Sequence, residues 1–328
     1  MIVKEREYPL RALLAETLLK RIHLSHPKRP IIAEDLRKYQ SGYRGEQALD
    51  YYLKFLPDDE YYIFQSLRLS FKNLPFQMDF LLLTARFALI IESKTFKGTL
   101  RFDSQFDQLI QTYEETEKVY ENPISQAKRQ QLLLAKWLKE TVSFSLPIDF
   151  LVVMTNPNAI LQTDHGNYEV LKKVCKPHKL IDKITSIKKQ HSQSPILDQK
   201  MLKKLGKLLL KHHTPLNINI LDIYKISKKE IVTGVICPQC GCFPMQYKLR
   251  TWACPVCKIT SKDAHLNAVY DYFLLINHAI TNAELRNFLH LPSRNAAQKI
   301  LIKLNLTTTG QTKGKIYYFT PGDQIVQR

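Results

Sequence analysis

Apolar positions between residues 8 and 24 recur at helical spacing (Leu10, Leu13, Leu14, Thr17, Leu18, Arg21, Ile22), which predicts an N-terminal packing helix. Lys28-Arg29-Pro30 interrupts the pattern. A second helix is expected from about Arg44 to Phe55, ending before Pro57. Ile63 to Ser70 alternates as a strand does, and Asp79 to Leu83 and Phe87 to Ser93 read as two more. A long helix should follow Pro123, with Ala127, Leu133, Leu134, Trp137 and Leu138 in its apolar stripe. Ile148 to Met154 is a fully apolar strand that runs into the loop Thr155-Asn156-Pro157-Asn158, and a helix over Leu197 to His212 closes this region.

The order helix, strands, helix, strand describes an α/β domain: a mixed sheet flanked by helices. Beyond it, two cysteine pairs occupy residues 231–262. An apolar helix is expected from Ala268 to Ile276, and Thr281-Asn282-Ala283-Glu284 has the form of a capping box that starts another. Pro292-Ser293 opens a third, ending near Leu304. Residues 307–309 and 315–319 then read as strand, turn, strand, and this C-terminal part resembles a winged helix-turn-helix. The expected organisation is an N-terminal helical arm (1–36), the α/β domain (37–215), a basic linker (216–230), a zinc ribbon (231–262) and a winged-helix-like domain (263–328).

Charge narrows the class of partner. The chain of 328 residues carries a formal +18, and Lys172 to Lys229 holds 15 Lys, no Arg and 3 Asp. A field of that sign suits a polyanion, nucleic acid first, although a solvated lysine face would look the same. No run of about 18 uncharged apolar residues exists, so a membrane span is not expected. The charged N-terminus does not resemble a secretory signal. Cysteines in two C-x-x-C pairs of a chain without such a signal point to metal rather than disulfides, and a cytoplasmic location is expected.

The chemistry-bearing stretch contains Gln77-Met78-Asp79 and Glu92-Ser93-Lys94. Glu92 and Lys94, two apart on one strand, share a face, and a hairpin would bring Asp79 beside them. Two carboxylates can hold Mg²⁺ or Mn²⁺, which polarises a phosphodiester and helps generate hydroxide. Lys94 would orient the water or stabilise developing charge. Asp-x12-Glu-x-Lys is by itself a weak pattern. With it stand Gly42, Gly45-Glu46, Gly98 and Asn122-Pro123-x-x-Gln126, and this set resembles the nuclease-related (NERD) domain family over roughly residues 40–155. That family is similar to the PD-(D/E)xK nucleases, so the resemblance implies a restriction-endonuclease-like core and metal-dependent cleavage of DNA or RNA. It further implies that Asp79, Glu92 and the backbone carbonyl of Ser93 ligate the metal and that Lys94 is the catalytic lysine. Glu46 would reach the metal directly or through water, with Gln77 and Gln126 as helpers. Met78 stands where those nucleases carry their signature proline.

Cys237-Pro-Gln-Cys240 and Cys254-Pro-Val-Cys257 are spaced as two knuckles around one tetrahedral ion, predicting structural Zn²⁺ on four thiolates. Cys242 lies too close to the first knuckle to be favoured. Candidate nucleic-acid contacts are Lys128 and Arg129 on the long helix, Lys248 and Arg250 in the ribbon, Arg294, Gln298 and Lys299 on the last helix, and Lys313 at the wing tip. The composite reading is a metal-dependent nuclease acting on nucleic acid, DNA before RNA, with no membrane partner and with oligomeric state left open. The rival is a non-catalytic nucleic-acid-binding regulator that keeps a nuclease fold as a platform.

Overall fold

The computed structural model describes residues 1–142 and 144–319; the side chain of Lys313 and residues 320–328 lie outside it. The chain begins with β1 (Ile2–Lys4), α1 (Leu10–Arg21) and α2 (Arg29–Leu53). Next come β2 (Tyr62–Phe71), β3 (Leu74–Leu83), β4 (Ala88–Lys94), β5 (Thr99–Asp103), β6 (Gln108–Tyr113) and β7 (Thr116–Glu121). Helix α3 (Pro123–Thr141) precedes β8 (Ile148–Met154), β9 (Ile160–Thr163), α4 (Tyr168–Lys173), β10 (Val174–Cys175), α5 (Leu180–Gln190) and α6 (Gln199–Lys211).

The second helix starts far earlier than its apolar pattern suggests. Pro30 stands in its first turn, where a missing N–H costs nothing, so the residue expected to break structure opens it. Strand β3 likewise begins at Leu74, which puts Asp79 inside the strand rather than at its start. The small sheet of β5, β6 and β7 has no counterpart in the sequence reading.

Two compact units divide the chain, and neither is continuous. The first comprises residues 1–9 and 38–217. Its main sheet has the order β1-β2-β3-β4-β8-β10, with β2, β3 and β4 antiparallel and β1, β8 and β10 joined through parallel pairings. A second sheet has the order β7-β6-β5-β9. Alternation along the main strands feeds two apolar cores, one on each face. One contains Ala88, Ile90 and Val152 with Ala127, Leu134 and Trp137 of α3 and Leu202, Leu205 and Leu209 of α6. The other sets Leu89, Ile91 and Val153 against Leu49 of α2 and Leu180 and Ile184 of α5. Mixed sheets flanked by helices are therefore the architecture.

The alternation breaks once, in both β2 and β3. Phe64 and Leu67 face the same core, as do Met78 and Leu81, so each strand changes parity between them. The register pairs Gln65 with Phe80 and Leu67 with Met78 but leaves out Ser66 and Asp79 between them, and Ser66 has φ 50°. This paired irregularity, of the kind that re-aims side chains in sheets, frees Asp79 from the core pattern.

The second unit comprises residues 10–37 and 218–328. It adds α7 (Ile220–Tyr224), β11 (Gln246–Lys248), β12 (Thr251–Ala253), β13 (Thr260–Ser261), α8 (His265–Leu275) and β14 (Ala279–Thr281). Helices α9 (Asn282–Leu289) and α10 (Arg294–Lys303) and strands β15 (Thr307–Thr309) and β16 (Ile316–Tyr318) complete it. The expected capping box is present at α9: Glu284 N donates to Thr281 Oγ1 at 3.2 Å, and Thr281 N donates to Glu284 Oε2 at 2.7 Å. One core joins Leu14 and Leu18 of α1, Trp252 of the cysteine-bearing segment, and Leu285 and Leu301 of the C-terminal helices. Buried Arg21 anchors it, donating to Asp271 at 2.7 Å and to the carbonyl of Gly234 at 2.7 Å. Among the described residues, no helix is long and apolar enough to cross a membrane.

Candidate active site and cysteine cluster

Glu92 and Lys94 end β4 on the face covered by α3. The apolar stripe of that helix is interrupted at Gln130, one turn after Gln126. Asn122 caps the helix, its side chain accepting from Ile124 N at 3.0 Å, and Pro123 supplies the first turn. This start sets the rotation that brings both glutamines over β4. Gln126 Nε2 and Lys94 Nζ each donate to Glu92 Oε1 at 2.7 Å, and Gln130 Nε2 donates to Glu92 Oε2 at 2.7 Å. Gln126 Oε1 accepts from Lys94 Nζ at 2.9 Å, closing the network. Glu92 is only 2% exposed, so a carboxylate in an apolar strand is held by three donors at once.

Asp79 approaches from β3. Its Oδ2 accepts from both the backbone N and the hydroxyl of Ser93, each at 2.8 Å. Burial, then the nearby Asp79 charge, pushes Glu92 up to about 7 against the pull of Lys94 and Gln130. Burial and Asp79 likewise push Glu46 up to about 7, opposed by Arg6 and Ser66. Burial disfavours the Lys94 ammonium, but Glu92 and Asp79 outweigh it and hold the lysine above its ordinary value.

Helix α2 can bring Glu46 to this place because Gly45 lacks a side chain. A Cβ there would lie 2.0 Å from Thr95 Oγ1 and 2.6 Å from Thr155 Oγ1. Glu46 Oε2 accepts from Arg6 Nε at 2.7 Å and from Ser66 Oγ at 3.4 Å. Arg6, 4% exposed in its side chain, also pairs with Asp50 at 2.9 Å and lies 4.9 Å above the Phe80 ring.

The structure thus brings together Glu46, Asp79, Glu92, Ser93, Lys94 and Gln126. Gln77 differs: its side chain is exposed on β3, and only its carbonyl joins the network, accepting from Gln130 Nε2 at 2.9 Å. Sequence reasoning missed Gln130, Arg6 and Ser66. Gln130 was findable, as a polar residue at a stripe position one turn from Gln126. Arg6 and Ser66 left no such signal, because their roles depend on long-range pairing.

The donor set fits a hard divalent cation. Glu92 and Asp79 repel one another, which a cation between them would relieve. Gln130 Oε1 is buried without a hydrogen-bond partner among the described residues, and donation from its Nε2 to two acceptors fixes the orientation of the amide. Glu46, Asp79 and Glu92 do not close into a trio within 4.8 Å of one another.

Residues 41–155 match the family model of NERD, the nuclease-related domain. The NERD match takes in Glu46, Asp79, Glu92, Lys94, Gln126 and Gln130, and it leaves Arg6 outside. This part of the chain is similar to the nuclease-related domain family. No curated protein and no solved structure matches the chain.

In the other unit, Cys237, Cys240, Cys254 and Cys257 bring their sulfurs within 4.8 Å of one another. Cys237 and Cys257 Sγ lie 3.6 Å apart, and Cys240 and Cys254 Sγ 3.5 Å. A tetrahedral Zn²⁺ with Zn–S bonds of about 2.3 Å requires sulfurs about 3.8 Å apart, so the cluster fits zinc. Cys242 stands outside the four; its carbonyl accepts from Cys237 N at 2.8 Å and shapes the knuckle. Buried Cys175 belongs to the first unit's core, where burial pushes its thiol up and makes it unreactive.

The candidate nucleic-acid residues are scattered. Lys128 pairs with Glu169 and Arg129 with Glu121, each at 2.7 Å on exposed surface. Lys248, Arg250, Arg294 and Lys299 are exposed. Gln298 is turned inward, donating to the Tyr317 hydroxyl at 3.0 Å and accepting from Asn282 at 3.2 Å. Part of the lysine-rich stretch serves the fold: Lys173 pairs with Asp149, and Lys176 and Lys183 donate to backbone carbonyls. Lys200, Lys203, Lys204 and Lys207 remain exposed along α6.

Proposed function

We propose that this chain is a metal-dependent nuclease that hydrolyses phosphodiester bonds in nucleic acid, with DNA as the preferred substrate. The observation that carries the reading is the buried Glu92, held by Lys94, Gln126 and Gln130 beside Asp79. Such a concentration of like charge in a buried place is costly for structure alone and useful next to a cation. Asp79, Glu92 and the backbone carbonyl of Ser93 would hold Mg²⁺ or Mn²⁺, with Glu46 reaching it directly or through water. When bound, the ion supplies Lewis-acid polarisation of the phosphodiester and lowers the pKa of water.

The chain's own residues do the rest. Ser93 fixes the rotamer of Asp79, and the two glutamines fix that of Glu92, so both carboxylates are preorganised. Lys94, kept protonated by Glu92, positions the attacking water or stabilises charge gathering on the phosphate. Arg6, in the segment that follows β1, holds Glu46 in place. The cysteine cluster binds structural Zn²⁺, and the helices and hairpin that follow it form a winged-helix-like module. Exposed Lys248, Arg250, Arg294 and Lys299 contact phosphate. A cytoplasmic location fits free thiols gathered for metal.

The test is to incubate the purified chain with single-stranded, duplex and branched DNA and RNA in Mg²⁺, Mn²⁺ or EDTA, beside Asp79→Asn. Cleavage that needs the metal and Asp79 is expected. Cleavage in EDTA would disprove the assignment, and binding without cleavage under every metal would favour a non-catalytic platform.

A further inference from the structure

In the second unit, the β11–β12 hairpin and the C-terminal half of α10 line a groove of about 850 Å³. Four cations border it, Arg250 and Lys262 from the cysteine-bearing segment and Lys299 and Lys303 from α10, against one acidic side chain, Asp263. Apolar groups stand among them. Leu249, at the hairpin tip, is 97% exposed, and Ile302 is 65% exposed. Leu249 and Arg250 occupy the two central positions of a tight turn, at φ 48° and 63°, so the hairpin presents both side chains from a fixed backbone.

The combination discriminates among ligands. Duplex DNA offers an outer surface of phosphate and buries the faces of its bases, so it matches the cations and leaves Leu249 and Ile302 in water. A single strand offers both a charged backbone and unpaired base faces, which demand cations and apolar contact surface side by side. We propose that this groove binds a single-stranded nucleic-acid segment, with phosphates on Arg250, Lys262, Lys299 and Lys303 and bases against Leu249 and Ile302. The proposal rests on the nucleic-acid reading above and gives it a substrate form. It also places two of the scattered basic residues, Arg250 and Lys299, in one site. Lys299 faces the groove, whereas Gln298 is occupied by Asn282 and Tyr317.

The experiment uses the zinc-loaded full chain carrying Asp79→Asn, without added Mg²⁺ or Mn²⁺, and follows fluorescence anisotropy of labelled oligo-dT and of a duplex of equal length. Leu249→Ser/Ile302→Ser should weaken oligo-dT binding about tenfold, the scale of one lost base contact, and change duplex binding by less than about twofold. Arg250→Ala/Lys299→Ala should weaken oligo-dT binding and reduce its salt slope by about 1.4, two contacts at roughly 0.7 each. Unchanged zinc content shows that the variants are folded. Oligo-dT binding that ignores the apolar double variant, or that falls equally for duplex, overturns the proposal; in the first case the exposed face serves a protein partner instead. Cleavage by the chain with Asp79 intact is scored separately. Groove-dependent binding without any metal-dependent cleavage would defeat the nuclease reading and spare the groove, whereas cleavage with no groove effect would do the reverse.

Discussion

Oδ2 of Asp79 accepts the backbone N–H and the hydroxyl of Ser93, both at 2.8 Å, so a side chain of β3 caps the end of β4. The last ladder pair of these strands is Phe80 with Ile91, and Asp79 continues the strand contact through its carboxylate. Position and charge at the site therefore depend on one group. Asp79→Asn and Glu92→Gln should each lower turnover by about 10² or more, the scale of losing one positioned electrostatic element. Lys94→Ala should lower it similarly while leaving metal affinity nearly unchanged, and Glu46→Gln should fall between. Ser93→Ala keeps the backbone donor and should cost less than about tenfold. Single-turnover cleavage with metal titration separates these outcomes; wild-type rates in the Asp79 and Glu92 variants would remove the site from consideration.

Gln130 offers a sharper probe of preorganisation. Gln130→Leu keeps the volume and deletes donors to Glu92 and to the Gln77 carbonyl. A hydrogen bond to a charged group contributes about 1.5–3 kcal/mol, so a loss of about 10- to 100-fold in kcat is expected. Near-native kcat in this variant would show that Gln126 and Lys94 suffice to hold Glu92.

Helix α3 was legible because it buries a regular stripe, β2 because part of it alternates as a strand does, and β4 and β8 because each is an apolar run of strand length buried on both faces. The cysteine cluster was legible because two C-x-x-C pairs constrain geometry locally. The sheet of β5, β6 and β7 was not. Its tight turn at Glu114-Glu115 places two non-glycine residues at φ 49° and 59°, so the usual Asn-Gly signal is absent. The parity change at Ser66 and Asp79 was equally hidden, since it arises from two strands adjusting to each other. Glu92 and Lys94 shared a face as alternation required, but the partners that hold them came from α3, and Arg6 came from a segment that the sequence assigned to a separate arm.

Proton linkage gives a third prediction. Glu46 and Glu92 are held at about 7, above their ordinary 4.5. A raised value means that the fold binds these protons more tightly than the unfolded chain. The associated stability is full below about 4.5 and is lost as pH rises through about 7. Without added divalent metal, thermal stability from these groups should decline across that window. Metal must displace the protons, so apparent Mg²⁺ affinity should rise over the same window and proton release should accompany binding. Calorimetry in buffers of different ionisation enthalpy measures this; a flat affinity from pH 5 to 8 would contradict it.

Close approach of α2 to the strand ends predicts the behaviour of Gly45→Ala. The new methyl meets two hydroxyls at 2.0 and 2.6 Å, and overpacking of this kind costs about 1–3 kcal/mol, outweighing the gain in helix propensity. Thr95→Ala/Thr155→Ala in the same chain should restore much of the melting temperature. A stabilised single variant would mean that the helix can shift freely.

Metal loss from the cysteine cluster should be visible at Trp252, which is fully buried and donates from Nε1 to His265 Nδ1 at 3.1 Å. Cys254→Ser should reduce zinc from about one per chain to near none and shift tryptophan emission to the red, because lost ligation is lost folding energy. Full zinc content in Cys237→Ser/Cys254→Ser would refute the four-thiolate site.

The buried bond from Arg21 to Asp271 spans 250 positions. At synthesis rates of roughly 5–20 residues per second, α1 waits on the order of ten to fifty seconds on the ribosome before its partners exist. Leu14 and Leu18 are apolar surface throughout that interval, while residues 38–217 emerge and can complete their own unit. A chain that stops early therefore ends with a finished first unit and an orphaned sticky helix. Among the first segments made, α1 is one of the last able to fold, and chaperones would meet it there.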